Sequence, residues 1–353
     1  MVQSCKANSP RTETGATVII KAAVIQERYT AQPAPLDETI RSPQELRRQC
    51  AAYKQAILAP QLELARQAAA QGVNLLVFRE DCNGAGSYCY RIDRPDIFTA
   101  LAEPIPGPTT EALAEIARQG NCYVVGCFNE LLDGRIYNTA LLLDPTGRPV
   151  GKYHKTHLPP LERFLVTAGE DLPVFPTEIG RIGMLICYDM MTPEVVRCLG
   201  LKGADVVCWP SLGYGWWVEA GDFTIRSRAH DNQLYILGAL TDHSCIVNPS
   251  GDFLCRAADE PTALLTAAIQ PGEDPVQPPN HHNAFLTQTP SLRERHLFER
   301  RPDLYGVITA PVPPLAARYP ATKMHEIEQD PQGTFERYRQ AMPTLTWQTR
   351  EEA

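Results

Sequence analysis

Apolar and polar positions along the chain predict short buried strands separated by helices. The first apolar run, residues 17–26 (TVIIKAAVIQ), is rich in β-branched side chains and predicts a buried strand. Further strands are predicted by five short apolar runs, at residues 75–78, 123–128, 182–186, 206–209 and 235–240.

Helix signals lie between these runs. Residues 42–45 (SPQE) form a capping box with Pro43 at the first helical position, so a long helix is predicted to begin there. Pro60 should kink or split this helix, and Gly72 should end its second half. Shorter helices are predicted at residues 109–119, 192–203 and 222–233.

Two hairpins interrupt the alternation of strands and helices. Residues 138–153 read as two strands joined by an Asp-Pro-Thr-Gly turn, and residues 244–256 repeat this design with Asn-Pro-Ser-Gly. We favour two independent solutions of the same turn over an internal repeat. Strands, helices and hairpins in this order predict an α/β protein with mixed sheets covered by helices.

The two ends of the chain differ from its middle. Residues 1–16 are polar, have no apolar core of a secretory signal and are predicted to be a disordered lead-in. Twelve of the 31 prolines fall in residues 271–353, which predicts an extended tail that packs on the domain or on a neighbouring subunit. Residues 17–270 are then expected to form the folded domain.

Composition narrows the classes of function. The chain of 353 residues carries 33 Lys and Arg against 41 Asp and Glu, a net charge of −8 without a basic block, which argues against nucleic-acid or anionic-membrane partners. No apolar run approaches the ~20 residues that span a bilayer. The eleven cysteines are scattered without the spacing of a disulfide framework, so a reducing, cytoplasmic location is expected.

One cysteine occupies a position suited to chemistry. Cys187 lies between a predicted strand and a predicted helix, at the edge where open α/β sheets place their sites. Backbone N–H groups and the helix start there favour a thiolate and a developing oxyanion. A buried structural cysteine is the alternative. A Cys–His hydrolase using His154 or His157 as the base also remains open on spacing.

An acid and a base follow two other strand-like segments. Glu80 comes just after the run at 75–78 and is either a general base or a solvated loop residue. Lys155 follows the first hairpin and is either a fixed cation facing developing negative charge or a surface lysine. Because all three groups follow strands, they are predicted to converge on one sheet edge.

Metal and cofactor signals are weak. Cys122 and Cys127 are five residues apart on one strand and face opposite sides, and His281-His282 is an isolated pair in the proline-rich tail. The sequence contains no dinucleotide-binding or phosphate-binding loop. We therefore expect neither a metal nor a cofactor.

Three blocks in this order resemble the Glu, Lys and Cys blocks of the nitrilase superfamily of carbon–nitrogen hydrolases: FREDCNGAG (78–86), YHKTHLPPLERF (153–164) and GMLICYDMMTPE (183–194). Flanking segments extend the resemblance over roughly residues 17–310. It implies a four-layer α-β-β-α sandwich, and a homo-oligomer of two or more copies.

The resemblance also implies a role for each site residue. Cys187 is the expected nucleophile, Glu80 the general base and Lys155 the group that stabilises the tetrahedral intermediate. Glu162 matches the second carboxylate that many members place near the lysine, and the backbone N–H of Tyr188 completes the oxyanion hole. The implied reaction cleaves a C–N bond of a small amide or N-carbamoyl compound through a thioester and releases ammonia.

The chain departs from the family pattern at two places. Arg79 stands where many members have proline, and Cys-Tyr-Asp replaces the Cys-Trp-Glu that is usual in true nitrilases. The second departure favours an amidase or carbamoyl-amidase over nitrile hydrolysis. Nitrile hydrolysis, acyl transfer and a catalytically silent binding or scaffold protein are the alternatives. Residues 211–220, rich in aromatic side chains, are expected to border either the pocket or a subunit interface.

Overall fold

A computed structural model describes most of the central part of the chain. The described residues are 18–31, 33–89, 91, 93–159, 162–213, 218–257, 259–272, 291–310, 330, 333–334 and 336–337. The predicted lead-in at 1–16 lies outside these residues, as does most of the predicted tail at 271–353, and both stay predictions.

The first of two mixed sheets has the strand order β12-β1-β2-β3-β4-β5. Its members are β1 Ile20–Glu27, β2 Leu75–Val77, β3 Tyr123–Leu132, β4 Arg135–Leu143, β5 Pro149–His154 and β12 Thr262–Ile269. The strands β1, β2 and β3 run parallel, and the other neighbours pair antiparallel. Helical connections join parallel strands and hairpins join antiparallel strands, so a chain that contains both kinds of connection forms a sheet with both kinds of pairing.

The second sheet has the order β11-β10-β9-β8-β7-β6. Its members are β6 Val174–Thr177, β7 Gly180–Met184, β8 Val206–Pro210, β9 Tyr235–Ala239, β10 Cys245–Val247 and β11 Phe253–Arg256. Here β7, β8 and β9 are the parallel strands. The two predicted hairpins, β4–β5 and β10–β11, each follow the last parallel strand, so they occupy equivalent places in the two sheets.

Helices cover the outer faces of both sheets. In the described residues they are α1 Pro43–Ala70, α2 Pro95–Leu101, α3 Pro108–Gly120, α4 Pro193–Leu201, α5 Val218–Asn232, α6 Leu292–Phe298 and α7 Gly306–Thr309. Side chains of α1 and α3, such as Ala65 and Leu113, pack on the outer face of the first sheet. Val196 of α4 and Ile225 of α5 belong to the core of the second sheet. The architecture is the predicted four-layer α-β-β-α sandwich.

The facing sides of the two sheets form one continuous core. Because side chains alternate along a strand, each sheet gives one set to this inner core and the other set to its helices. On β1, Val24 joins the inner core, whereas Ile25 packs with the helices. From the second sheet, Met184 and Leu237 reach the same inner core. This packing fixes the sheets relative to each other, which matters because both contribute to the site.

The prediction that Pro60 splits the first helix is wrong, because α1 is assigned as one element that contains this proline. Proline removes one backbone donor and crowds the preceding turn. The side-chain amide of Gln61 donates to the carbonyl oxygen of Ile57 at 3.3 Å in this turn, and to that of Cys82 at 2.7 Å. Both Ile57 and Gln61 are buried, so tertiary packing outweighs the local penalty.

Five helices and strands of the described residues were not predicted from the pattern: α2, β6, β12, and the short helices α6 and α7. Strand β6 contains Pro176 and lies at the edge of its sheet, where a missing N–H is tolerated. Strand β12 is partly exposed along most of its length, and its apolar residues are mainly alanine and leucine, which favour helices over strands. Helix α2 has only seven residues, too few for a clear 3.6-residue period.

We predict that Gly126→Ala destabilises the fold, because helix α3 approaches β3 closely at this glycine. A methyl group on Gly126 would lie 2.2 Å from Cδ1 of Leu113, which is fully buried. Overpacking of this kind costs about 1–3 kcal/mol. Urea unfolding measures the loss. Gly306→Ala, where a methyl group meets no atom within 4 Å, is the control; equal stability of the two variants would contradict the prediction.

Candidate active site

The three predicted catalytic residues lie just beyond strand ends in both sheets. Glu80 follows β2, Lys155 follows β5 directly, and Cys187 follows β7. Cys187 opens a short 3₁₀ turn, Cys187–Met191, with its own backbone in the left-handed region at φ 45°. The sequence predicted this placement after strands, and the stacking of the sheets brings the three segments to one place.

Lys155 joins the two carboxylates that were predicted with it. Its Nζ lies 2.9 Å from Oε1 of Glu80. The same nitrogen lies 2.9 and 3.0 Å from the two oxygens of Glu162. The lysine is fully buried, and Glu80 and Glu162 are 2% and 8% exposed. One ammonium group is therefore held between two carboxylates with almost no access to water.

Two further donors fix the orientation of Glu80. Asn138 of β4 donates from Nδ2 to Glu80 Oε1 at 2.8 Å. The backbone N–H of Leu212, just after β8, donates to Glu80 Oε2 at 3.0 Å. Together with Lys155, these donors give each oxygen of the carboxylate at least one hydrogen bond. The carboxylate is held by groups from both sheets.

The charges around Lys155 keep it protonated. Burial by itself would lower the pKa of Lys155, but the carboxylates of Glu80 and Glu162 outweigh it and raise this pKa well above its ordinary value. Burial raises the pKa of Glu162, and the neighbouring ammonium of Lys155 opposes this rise. The lysine is thus a permanent cation at the centre of the site.

The thiol of Cys187 lies within the field of these groups. Burial first, and then the Glu80 carboxylate, raise the pKa of Cys187 to about 12, while Lys155 lowers it. The Ser211 side chain hydrogen-bonds to the thiol. The Cys187 carbonyl oxygen accepts a hydrogen bond from Nε1 of Trp209 at 3.2 Å, which anchors the residue from behind. A thiol with so high a pKa is neutral at pH 7 and needs a base to become a nucleophile.

Asp189 holds the turn that carries the thiol. Its Oδ2 accepts the backbone N–H of Ile186 and the hydroxyl of Tyr153, both at 2.8 Å. Its Oδ1 accepts the backbone N–H of His157 at 2.9 Å. Asp189 is fully buried. It therefore ties the Cys187 turn to the segment that carries Lys155.

The two histidines considered as alternative bases are bonded to other groups. His154 Nε2 lies 2.9 Å from Oε2 of Glu130, and the His154 ring stacks on Tyr137. His157 Nδ1 lies 3.2 Å from Oδ1 of Asp189. Each histidine ring therefore lies against a carboxylate, His154 against Glu130 and His157 against Asp189.

A small cleft opens beside the buried charges. It is lined by Glu80, Asp81, Gly86, Cys89, Asn129, Asn138, Glu162, Val166 and Leu212. Leu212 belongs to the segment 211–220, whose first residues thus border the cleft. The aromatic residues at 214–217 lie outside the described residues. Most of the lining groups are polar, which suits a ligand that makes hydrogen bonds.

Sequence reasoning missed Asn138, Ser211 and Asp189. Asn138 lies on β4 and reaches Glu80 across 58 residues of sequence, and Ser211 follows β8. Asp189 stands inside the Cys-Tyr-Asp block, where an acid two residues after a nucleophile is a usable signal.

The described residues contain no group of three or more His, Cys, Asp or Glu side chains that could hold a metal ion. No helix in the described part of the chain is long and apolar enough to cross a membrane.

We predict that Asp189→Ala destabilises the protein by about 3 kcal/mol, because the buried donors of Ile186 and Tyr153 and the partly buried N–H of His157 lose their acceptor. Urea unfolding at pH 7 measures this change. Asp189→Asn retains one acceptor oxygen and should lose less. A loss below ~1 kcal/mol for the alanine variant would mean that the turn does not depend on this carboxylate.

Solved structures with similar folds come from several organisms. A carbon-nitrogen hydrolase from Helicobacter pylori G27 superposes with a TM-score of 0.64 at 21% identity, covering 83% of this chain and 99% of that one. Saccharomyces cerevisiae Nit3, a member of branch 10 of the nitrilase superfamily, gives 0.57 at 23% identity, covering 72% and 91%. An amidase from Nesterenkonia sp. gives 0.59 at 21% identity, covering 82% and 96%. These similarities establish the fold.

Sequence comparisons identify the family. The chain is 33% identical over 220 residues to a Pseudomonas protegens protein named "Hydrolase in pqqF 5'region", covering 58% of this chain and 72% of the relative. It is 30% identical over 221 residues to omega-amidase NIT2 of Homo sapiens, covering 55% and 76%. The model of the carbon-nitrogen hydrolase family matches residues 40–273. The chain therefore belongs to the carbon-nitrogen hydrolases of the nitrilase superfamily.

Proposed function

We propose that the protein is a thiol amidohydrolase that cleaves a C–N bond in a small amide or N-carbamoyl compound, and releases ammonia. The observation that carries the proposal is the buried Lys155 ammonium between Glu80 and Glu162, next to the neutral thiol of Cys187. This arrangement provides a base, a nucleophile and a fixed cation in one place.

The first half of the reaction forms a thioester. Glu80 removes the proton from Cys187 Sγ, and the sulfur attacks the carbonyl carbon of the substrate. The carbonyl electron pair moves to oxygen, where the Lys155 ammonium and the backbone N–H of Tyr188 stabilise the negative charge. Tyr188 lies in the first turn of the 3₁₀ segment, where N–H groups lack intrahelical acceptors. Glu80 then gives its proton to the departing nitrogen, and the C–N bond breaks.

The second half regenerates the thiol. Glu80, again a carboxylate, takes a proton from a water molecule that attacks the thioester carbon. The same two donors stabilise the second tetrahedral intermediate. When this intermediate collapses, the C–S bond breaks and Glu80 returns the proton to Cys187 Sγ. Lys155 remains charged throughout, so its contribution is electrostatic.

Relatives support an amide as the substrate. The Homo sapiens relative is named an omega-amidase, and a mutant of the Nesterenkonia amidase shows covalent addition of the acetamide moiety of fluoroacetamide at its active-site cysteine. The polar lining of the cleft suits the carbonyl and amino groups of such molecules. A homo-oligomeric assembly and a cytoplasmic location stay predictions from the sequence.

We predict that Cys187→Ala abolishes turnover, because the proposed thioester forms on Sγ of Cys187. The test is a panel of primary amides, N-carbamoyl compounds and nitriles, scored by released ammonia. Turnover of amides or N-carbamoyl compounds in the wild type, and its loss in the variant, are expected. Cys208→Ala, at a buried cysteine on β8, is a control for general effects of losing a core thiol.

An active Cys187→Ala enzyme would contradict the mechanism. Turnover of nitriles alone would replace the amide assignment with nitrile hydrolysis. Addition of hydroxylamine or an amine distinguishes acyl transfer, since the thioester would then give a new amide or hydroxamate instead of the acid. A wild type that releases no ammonia and transfers no acyl group would indicate a silent binding protein.

We also predict that alkylation of Cys187 by iodoacetamide speeds up as the pH rises. Its pKa is raised to about 12, so near neutral pH only a small fraction is thiolate. Below such a pKa, this fraction, and hence the rate, grows about tenfold per pH unit. Mass spectrometry of the Cys187 peptide between about pH 6 and pH 9 gives the rate. A rate that is constant over this range would mean that the thiol is already ionised.

A further inference from the structure

We propose that Arg79 is a positioning residue for Glu80: its guanidinium fixes the backbone of the Glu80 loop so that the carboxylate stays aligned for proton transfer. The inference rests on the proposed function of Glu80 as the general base. It gives a role to the residue that replaces the proline found in many members of the superfamily.

The guanidinium of Arg79 points back into its own loop. A single nitrogen, Nη1, donates to the carbonyl oxygens of Glu80 and Asp81, both at 2.8 Å. These carbonyls belong to the two peptide planes that flank the Cα of Asp81. Two contacts to one nitrogen therefore restrict the φ and ψ of Asp81 and the orientation of the plane next to Glu80.

The restricted backbone is one that the chain would otherwise avoid. Asp81 has φ 54°, in the left-handed region that non-glycine residues seldom occupy. Its side chain accepts two hydrogen bonds, one from the N–H of Gly86 at 2.7 Å and one from the hydroxyl of Tyr29 at 3.2 Å. Proline would stiffen the residue before Glu80 through its ring. Here the loop is held by hydrogen bonds from Arg79.

The guanidinium itself is anchored to the first sheet. Its Nη2 lies 3.0 Å from Oε2 of Glu27, the last residue of β1. It also stacks 4.1 Å from the centre of the Tyr29 ring. Both Arg79 and Glu27 are fully buried. We call the hydrogen bonds from Arg79 to Glu27 and to the loop carbonyls the Arg79 clamp. This clamp is rigid because Glu27 belongs to a central strand and because neither the guanidinium nor the carboxylate is exposed to water.

The proposed reaction depends on the alignment of the Glu80 carboxylate with its partners. Glu80 must keep its oxygens on Lys155 Nζ, Asn138 Nδ2 and the Leu212 N–H, and it must still reach the thiol of Cys187. These partners come from other segments, so they hold the carboxylate only if the backbone of Glu80 is correctly positioned. Arg79 acts on that backbone and does not itself contact these partners' atoms in the described hydrogen bonds.

The experiment distinguishes a loss of Glu80 alignment from a loss of protein stability. Arg79→Met removes the clamp and leaves Glu27 as a buried unpaired carboxylate. The double variant Glu27→Gln/Arg79→Met removes the clamp without the unpaired charge. Arg79→Lys keeps a cation but not the planar fork that reaches two carbonyls and a carboxylate at once. All variants are made in the full chain and assayed on the amide that the wild type turns over.

A matched control comes from another buried ion pair. Lys54 of α1 lies 2.6 Å from Oε1 of Glu103 and donates to the carbonyl oxygen of Leu101 at 2.9 Å. Lys54→Met also removes a cation from a buried carboxylate, and no hydrogen bond in the described residues joins Lys54 or Glu103 directly to residues 79–82. The folded fraction of each variant is taken from its urea-unfolding curve, so that kcat refers to folded enzyme.

For Arg79→Met we expect kcat to fall by about 100-fold, the size of a misalignment of about 1 Å, with KM changed less than ~3-fold. The double variant should regain stability but keep the low kcat, and Arg79→Lys should lie between the wild type and Arg79→Met. Lys54→Met should lose stability and keep its kcat.

Two results would overturn the inference. One is a kcat for Arg79→Met within ~3-fold of the wild type. The other is a double variant whose kcat recovers together with its stability, since that would make Arg79 only a counter-ion for Glu27. If Arg79→Met does not fold, the double variant and Arg79→Lys decide the question. Failure of the proposed function is distinct, because it would appear as turnover by Cys187→Ala.

Discussion

The site depends on one buried ammonium group. Removing a lysine from water is costly, and Lys155 is stable in the interior only because Glu80 and Glu162 lie within hydrogen-bond distance of its Nζ. The same contacts oblige the two carboxylates to stay close to it. Burial, and after it the charge of Glu80, raise the pKa of the Cys187 thiol to about 12, so this thiol is neutral near pH 7. Stability and reactivity of the site therefore have a common electrostatic origin.

The stacking of two sheets makes this arrangement possible. Glu80 and Lys155 come from the first sheet, whereas Cys187 and the Leu212 N–H come from the second. No single sheet supplies a complete set of donors and acceptors. The inner core between the sheets sets their separation, so its close packing controls distances between the reacting groups. Asp189 adds a direct polar connection by joining the Cys187 turn to Tyr153 of β5.

Much of this could be predicted from the sequence, and the exceptions have physical reasons. Glu80, Lys155 and Cys187 were predicted as site residues because each follows a strand-like segment, and the superfamily resemblance implied a role for each of them. Asn138 could not be identified, because its contact with Glu80 depends on how β4 pairs within the sheet, which one sequence does not encode locally. The intact helix through Pro60 shows the same limit, since burial of its neighbours overrides a strong local signal.

The left-handed backbone of Cys187, the proposed nucleophile, restricts which side chains this turn can carry. At φ 45° a side chain that branches at Cβ crowds its own main chain, so threonine would be strained at this position. Serine has the right shape, but its hydroxyl gives up a proton far less readily than a thiol does. The conformation of a single residue thus leaves cysteine as the amino acid that combines an unbranched Cβ with an ionisable, strongly nucleophilic atom.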